Sequence, residues 1–573
     1  MGNRERAEEN ANEIDKQIIE ALEAGHNFRV EAGAGAGKTY SLMKVINWLE
    51  NEKRKNFIKY GQRVACITYT NVAVDVIKSR LKSEDFIQPC TIHNFAWGLM
   101  KRFQSSLLKT VEDMGLLPAH EDGTPSSIKE ISSVVYELGV RYIRDKVLYL
   151  YHDDVIRLFV SMLDNAKFRS FLGKSYPIIL IDEYQDSFKS ITDQFLCYFI
   201  EAGQPPQFGL FGDSWQTIYS SIGACGEINS DKIKVINKEA NFRSQEVIVQ
   251  VLNHIRPMLP QITALDENDG KVLIITTDDY TGERQKGYYK GELPNDVLFQ
   301  RIDRIREKIE GLGWTGRQKT LMLTHKMLAK EQHYDNLLDV LGDHLKDADD
   351  EHYLFFRDKV EPVFRALETN NPKMLFDVLG LTRQPINSQE QKREWREFYK
   401  HLSMARQGRI ADVIELVKQS YLVGIPDKID YWLSIYRENN NEILFHKKSI
   451  KTFYDIAYKE VLNAIESQNP ESEFSTEHGV KGEEYDSVLL IIGRGWNNYK
   501  FDEILYLDST LLNGADLEAY IRNRNLFYVC CSRAVKNLAL FITVPINNEF
   551  RVYLNNVFGA ENIMNYTDFM KLR

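Results

Sequence analysis

The chain has 573 residues, 43% hydrophobic and 11% aromatic, enough for about three to five structural units of roughly 100–200 residues. No apolar run approaches the ~18 residues of a membrane-spanning helix, and the opening MGNRERAEENANEIDK is too charged for a secretory leader, so a cytoplasmic protein without membrane partners is expected. A net charge of -10 argues against a basic coat around duplex DNA and leaves room for a narrow positive groove.

In chain order, Ile14, Ile18 and Leu22 fall at helical spacing. FRVEA then reads as a short buried strand, a glycine-rich loop follows, and Thr39 to Leu49 reads as a helix. RVACITY is a second strand, followed by a helix from Val72 to Leu81. A mainly helical stretch covers about 97–175. PIILID and QFGLFG are apolar strands that end in acid-containing turns. TTDDYTGERQKGYYKGELPND (276–296) reads as a surface loop. A later set of buried strands comprises KTLMLT (319–324), SVLLII (487–492) and LALFIT (538–543), with a second helical stretch over 341–470. Its acidic run, DHLKDADDEH, is expected to be solvated. The alternation implies an α/β fold with two mostly parallel sheets, each interrupted by a mainly helical insertion. Cys66, Cys90, Cys197, Cys225, Cys530 and Cys531 show neither a CxxC pair nor zinc-ligand spacing and read as reduced, buried thiols.

The stretch VEAGAGAGKTYSLM carries the first chemistry. Gly33, Gly35 and Gly37 let backbone N–H groups approach phosphate without a Cβ in the way, and the helix that follows adds its dipole. Lys38 would reach the terminal phosphates of ATP, and the Thr39 hydroxyl would ligate Mg²⁺. The strict phosphate-loop pattern asks for glycine at position 32, where this chain has Ala32. PIILIDEYQD supplies the complementary acids: Asp182 for the metal and Glu183 as general base toward the attacking water.

The blocks VEAGAGAGKT, VACITYTN, TIHNF, LIDEYQDS, FGDSWQTIYS, NFRS, STEHGVKGEEY and NLFYVCCSRA occur in one order and, with Gln17 ahead of them, span residues 17 to 534. Together they resemble the UvrD/Rep-type superfamily 1 helicases. That resemblance implies two RecA-like P-loop domains with ATP between them, and single-stranded DNA crossing both with 3′-to-5′ polarity. It implies a first RecA-like domain over 1–96 and 176–256 and a second over 257–340 and 471–573. The helical insertions then span 97–175 and 341–470. It also assigns roles. Gln17 and Phe242 would bind adenine, Glu484 the ribose, and Arg243 and Arg533 the γ-phosphate from opposite sides. Gln216 would couple phosphate state to the DNA groove. Tyr69 and Tyr219 would stack on bases, and Thr70, Asn71, Thr91, His93 and His478 would touch the phosphodiester chain.

One departure stands in the groove. The family continues after the position of Tyr219 with Ser-Trp-Arg-Gly-Ala, whereas this chain reads Ser220-Ser221-Ile222-Gly223-Ala224. Losing the indole removes up to ~1–3 kcal/mol of stacking, and Trp215, six residues earlier, faces elsewhere in the family pattern. Weak unwinding is therefore expected beside an intact ATPase. The organisation is similar to compact UvrD-like subunits of Gabija-type anti-phage systems. A second reading follows from this: a DNA-sensing ATPase that licenses a partner nuclease. The chain itself shows no nuclease carboxylate–lysine cluster.

Overall fold

A computed structural model describes residues 2–81, 85–118, 126–136, 141–217, 223–322, 325–346, 349–380, 388–438, 444–446, 448–469, 471–476, 480–494 and 499–572. The first sheet is built from β1 (Asn27–Ala32), β2 (Val64–Thr68), β3 (Ile87–Thr91), β7 (Ile178–Asp182), β8 (Gln207–Gly212) and β9 (Ile233–Lys238). These strands run parallel in the order β3-β2-β7-β8-β1-β9. The inner strands are apolar on both faces because helices cover both sides. Ala65, Ile67, Ile179 and Ile181 enter one core layer, while Val64, Cys66, Ile178 and Leu180 enter the other. At the edge, β9 alternates: Ile233, Ile236 and Lys238 point inward, and Lys234, Val235 and Asn237 face out.

Between β3 and β7 the described residues form four α-helices, Ile92–Met100, Gln104–Asp113, His152–Met162 and Ala166–Ser175. They also form a three-stranded sheet that helical periodicity does not anticipate: β4 (Ser133–Tyr136), β5 (Tyr142–Arg144) and β6 (Val147–Leu150). These strands are short, and they bury only Val134, Leu148 and Leu150, too few to write a strong alternation. A short pair, β10 (Ala240–Asn241) and β11 (Ile262–Thr263), closes the first lobe.

The second sheet comprises β12 (Val272–Thr276), β13 (Gln318–Met322), β16 (Phe474–Thr476), β17 (Tyr485–Ile492), β18 (Ala534–Ile542) and β19 (Ile563–Asn565). It too is parallel, in the order β16-β13-β17-β18-β12-β19. Among the described residues its insertion is helical apart from one antiparallel pair, β14 (Leu444–Phe445) with β15 (Lys448–Ser449).

The acidic run is only partly solvated. Asp350 is buried, accepts the Tyr353 N–H at 2.9 Å as a helix cap, and bonds His446 Nε2 at 2.8 Å. The loop at 276–296 is tied down rather than free: Arg284 donates to the carbonyls of Thr277, Gly291 and Thr543, and Leu293 is buried. Of the six thiols, Cys66, Cys90, Cys530 and Cys531 are buried, whereas Cys197 is exposed and Cys225 half-buried.

Candidate functional site: a phosphate loop between two lobes

The loop after β1 bends through Gly35 at φ +75° and Gly37 at φ +74° before the helix Lys38–Glu52 begins. Glycine is required at 35 for a second reason. A Cβ there would lie 2.7 Å from both Asn241 Oδ1 and Arg243 Cβ. The loop is thus wrapped by the segment that carries NFRS: Asn241 Nδ2 donates to the Ala34 carbonyl at 3.1 Å, and Phe242 N–H to the Gly35 carbonyl at 2.9 Å.

A cavity of about 360 Å³ opens over this loop. Its walls are residues Gly33 to Tyr40, then Glu183, Gln216, Phe242 and Arg243 from the first lobe, and Gly482, Glu484 and Arg533 from the second. The structure therefore brings together Gly33, Gly35, Gly37, Lys38, Thr39, Glu183, Gln216, Phe242, Arg243, Glu484 and Arg533 around one space. Asp182 sits beside them, buried at the end of β7. Gln17 is not among the lining residues; its Nε2 donates to Glu13 Oε1 one helical turn away, at 3.5 Å.

Charge in the cavity is arranged in two tiers. Lys38 Nζ lies 3.1 Å from Glu183 Oε2. Burial opposes the Lys38 charge, but Glu183, Asp213 and Asp182 outweigh it and raise its pKa. Burial likewise works against ionised Glu183, and Lys38 and Lys481 overcome it, so this carboxyl stays below the usual range. Asp182 is shifted the other way, upward, by burial and by the neighbouring Glu183 charge. Glu183 holds a left-handed backbone, φ +50°, uncommon for a residue with a Cβ, and this aims its side chain off the strand end into the cavity.

From the far side comes Arg533, 1% exposed. Its guanidinium donates only to neutral oxygens: the Val529 and Glu483 carbonyls at 3.0 and 3.1 Å, Ser532 Oγ at 2.9 Å and Gln216 Oε1 at 3.3 Å. Burial and the nearby Arg243 charge push it down to about 9. Arg243 donates to Glu484 Oε2 at 2.9 Å and to the Ser532 carbonyl at 3.2 Å, so it too bridges the lobes. Gln216 receives Arg533 on its oxygen and gives its amide to Asp213 Oδ2 at 2.7 Å.

This donor set fits a magnesium nucleotide. The loop is a cradle that a side chain at 35 would fill, the buried Arg533 lacks a carboxylate partner among the described residues, and Thr39 and Asp182 supply hard oxygen ligands.

Of the other predicted positions, Tyr69, Thr70, Asn71, Thr91 and His93 lie at the ends of β2 and β3. The Tyr69 ring is exposed. Thr70 and Thr91 spend their hydroxyls as helix caps, accepting Ala73 N–H at 3.2 Å and Asn94 N–H at 3.4 Å. Asn71 opens the helix Asn71–Arg80 and is exposed. Thr91 pairs with Thr68 across the sheet, which sets the two caps side by side. His93 is 9% exposed, with its ring stacked on His152 at 3.5 Å. Burial, helped by His152, lowers its pKa to about 4, so it is neutral at pH 7. Tyr219, Ser221, Ile222 and His478 lie outside the described residues.

Motif reading missed a buried ionic junction. Arg256 donates to Asp213 Oδ1 at 2.6 Å and to Glu31 Oε1 at 2.7 Å, joining the ends of β1 and β8. Nothing in NHIRPML announces it. Lys481, inside the KGEEY block, has no role in the motif pattern, yet its Nζ reaches Asp186 Oδ2 at 2.5 Å and the Gln216 carbonyl at 2.6 Å across the lobes. Tyr528 Oη accepts the Ala34 N–H at 3.2 Å, so the second lobe touches the phosphate loop itself.

Two parallel sheets facing each other over a phosphate loop, with an arginine from each side, form the architecture of two RecA-like domains. A family model described as an AAA domain matches residues 15–222. Along 95% of its length the chain is similar to Gabija protein GajB of Bacillus cereus (strain HuB5-5), at 22% identity and covering 96% of that protein. Half of the chain is similar to the mitochondrial ATP-dependent DNA helicase HMI1 of Saccharomyces cerevisiae, at 26% identity and covering 44% of that protein.

Proposed function

We propose that the chain is an ATP-driven translocase on single-stranded DNA that moves 3′ to 5′ by closing and opening the cleft between its lobes. In this reading the ATP-binding lobe is 1–96 and 176–256, its partner lobe is 257–340 and 471–573, and 97–175 and 341–470 are insertions. The observation that carries it is the convergence of Lys38 from one lobe and Arg533 from the other on one cavity.

The chemistry follows from charge. An incoming γ-phosphate competes for Lys38 and draws it from Glu183, which leaves the carboxylate free to accept a proton from the attacking water. Arg533 and Arg243 neutralise charge that develops on the transferred group, a contribution worth about 10³–10⁵ in related phosphoryl transfers. Thr39 and Asp182 would hold a magnesium ion, which would offset the charge of the phosphate groups. Phe242 stacks on the base, Glu484 meets the ribose, and Gln17 reads the adenine edge after leaving Glu13. Gln216 reports the phosphate state to the strand lane formed by Tyr69, Thr70, Asn71, Thr91, His93, Tyr219 and His478.

Similarity to an ATP-dependent DNA helicase and to a Gabija protein supports this reading, including a place in antiviral defence beside a partner nuclease. The test is steady-state ATP hydrolysis with and without single-stranded DNA. A severalfold rise with added strand is expected; a rate indifferent to DNA would count against the strand lane.

A further inference from the structure

Trp215 is the one aromatic residue of the FGDSWQTIYS block whose surroundings the nucleotide chemistry leaves unexplained. It does not face outward as a spare stacking platform. The Arg524 guanidinium lies 3.7 Å from its ring centroid, and the Arg256 guanidinium lies 5.2 Å from it. The Tyr528 ring meets it edge-on at 5.8 Å. Arg256 belongs to the first lobe and is fixed by Glu31 and Asp213. Arg524 and Tyr528 belong to the helix Gly514–Cys531 of the second.

Arg524 has no carboxylate partner among the described residues. Its Nε and Nη2 donate to Asn525 Oδ1 at 3.2 and 2.8 Å, which leaves the guanidinium face for the indole. Asn525 in turn donates to the Ser214 and Thr217 carbonyls at 3.4 and 3.2 Å. The helix therefore grips residues 214–217 by side chain and by backbone at once. The same helix reaches the phosphate loop through Tyr528 and ends just before Arg533. One rigid rod thus touches the phosphate loop through Tyr528 and, about 5 Å back along its axis, residues 214–217 through Asn525 and Arg524.

We propose that Trp215 and Arg524 are positioning residues: their cation–π contact passes lobe closure on ATP to the segment predicted to hold the DNA strand. The assignment rests on the translocase reading given above. A salt bridge at this place would be screened by water as the lobes part, whereas a guanidinium on an indole loses its attraction once the two planes separate by a few ångströms. The contact therefore acts as a short-range latch with an indole reporter built in. Gln216, next in sequence, bonds Arg533, so both residues of the Trp-Gln pair answer to the second lobe through different chemistry.

The test uses the full chain with Arg524→Met, Arg524→Lys and Trp215→Phe, each checked for an unchanged thermal melt. With wild type, addition of a non-hydrolysable ATP analogue without DNA is expected to shift the indole emission, and Trp215→Phe should abolish most of that shift. Arg524→Met should keep the basal ATPase and the KM for ATP within about twofold while losing about fivefold of the stimulation by single-stranded DNA, in line with the strength of such contacts. Arg524→Lys should recover at least half of it. An emission shift that survives in Trp215→Phe, or stimulation that survives in Arg524→Met, overturns the proposal. If wild type is not stimulated by DNA at all, the translocase reading fails. The emission arm then still decides whether Trp215 senses closure.

Discussion

Replacing Arg256 with methionine removes the cation from a junction the structure shows to be almost dry. The side chains of Arg256, Glu31 and Asp213 are 5%, 8% and 0% exposed, with contacts of 2.7 and 2.6 Å. Methionine keeps much of the volume but takes from buried Asp213 its ion-pair partner and leaves Glu31 with the longer 3.7 Å contact to Arg29 Nε. Breaking a buried pair in this way costs about 3–5 kcal/mol, a large part of the ~5–15 kcal/mol that holds a typical domain together. At about 2–4 °C per kcal/mol for a lobe of this size, the melting point should fall by about 6–20 °C. The deficit should also depend on pH. Burial works to raise the pKa of Glu31, but Arg256, Ser214 and Tyr184 hold it below its ordinary 4.5. A lowered folded-state pKa gives stability that is complete above the ordinary value and is lost as pH falls through the lowered one. The gap between wild type and Arg256→Met should therefore be full at pH 7 and narrow below about pH 4.5. Differential scanning calorimetry at pH 7 and at pH 4 reads both effects. A drop smaller than about 2 °C at pH 7, or a gap that widens in acid, would refute the reasoning.

Three further outcomes are expected. Glu183→Gln should still bind ATP, measured by equilibrium fluorescence with a labelled analogue, while turnover falls by at least about a hundredfold; retained hydrolysis would assign the base elsewhere. Gly35→Ala should raise the Kd for ATP at least tenfold, because its Cβ meets Asn241 and Arg243 at 2.7 Å in a left-handed turn; unchanged binding would show that the loop yields cheaply. Strand displacement by the pure chain should be feeble next to its ATPase, since Ser221 and Ile222 stand where the family has tryptophan and arginine. Rapid processive unwinding of a long duplex would contradict that.

How much was legible follows from where each signal is written. PIILID and SVLLII are buried on both faces, so a continuous apolar run marks them, and both are central strands. The edge strand β9 carries Lys234, Asn237 and the buried Lys238, a composition that gives no such run. β12 holds the apolar VLII, a run of four between two polar loops that is too short to mark a strand by itself. The phosphate loop and the acids after β7 are local in sequence, and the fold places them as their spacing suggests. The junction of Arg256 with Glu31 spans 225 positions, and the grip of Asn525 on Ser214 spans 311. The first contact exists only once the first lobe has folded and the second only once the two lobes have docked, so no window of sequence contains either.

In the proposed cycle one lobe completes the other's active site. The most direct test is ATP turnover by Arg533→Ala under saturating ATP and single-stranded DNA, with ATP binding measured in parallel. Because Arg533 enters the cavity from the opposite lobe, turnover is predicted to fall by about 10³ or more while the Kd for ATP moves by less than tenfold. A variant that melts as wild type does and still hydrolyses ATP within about fivefold of the wild-type rate would contradict the shared cleft.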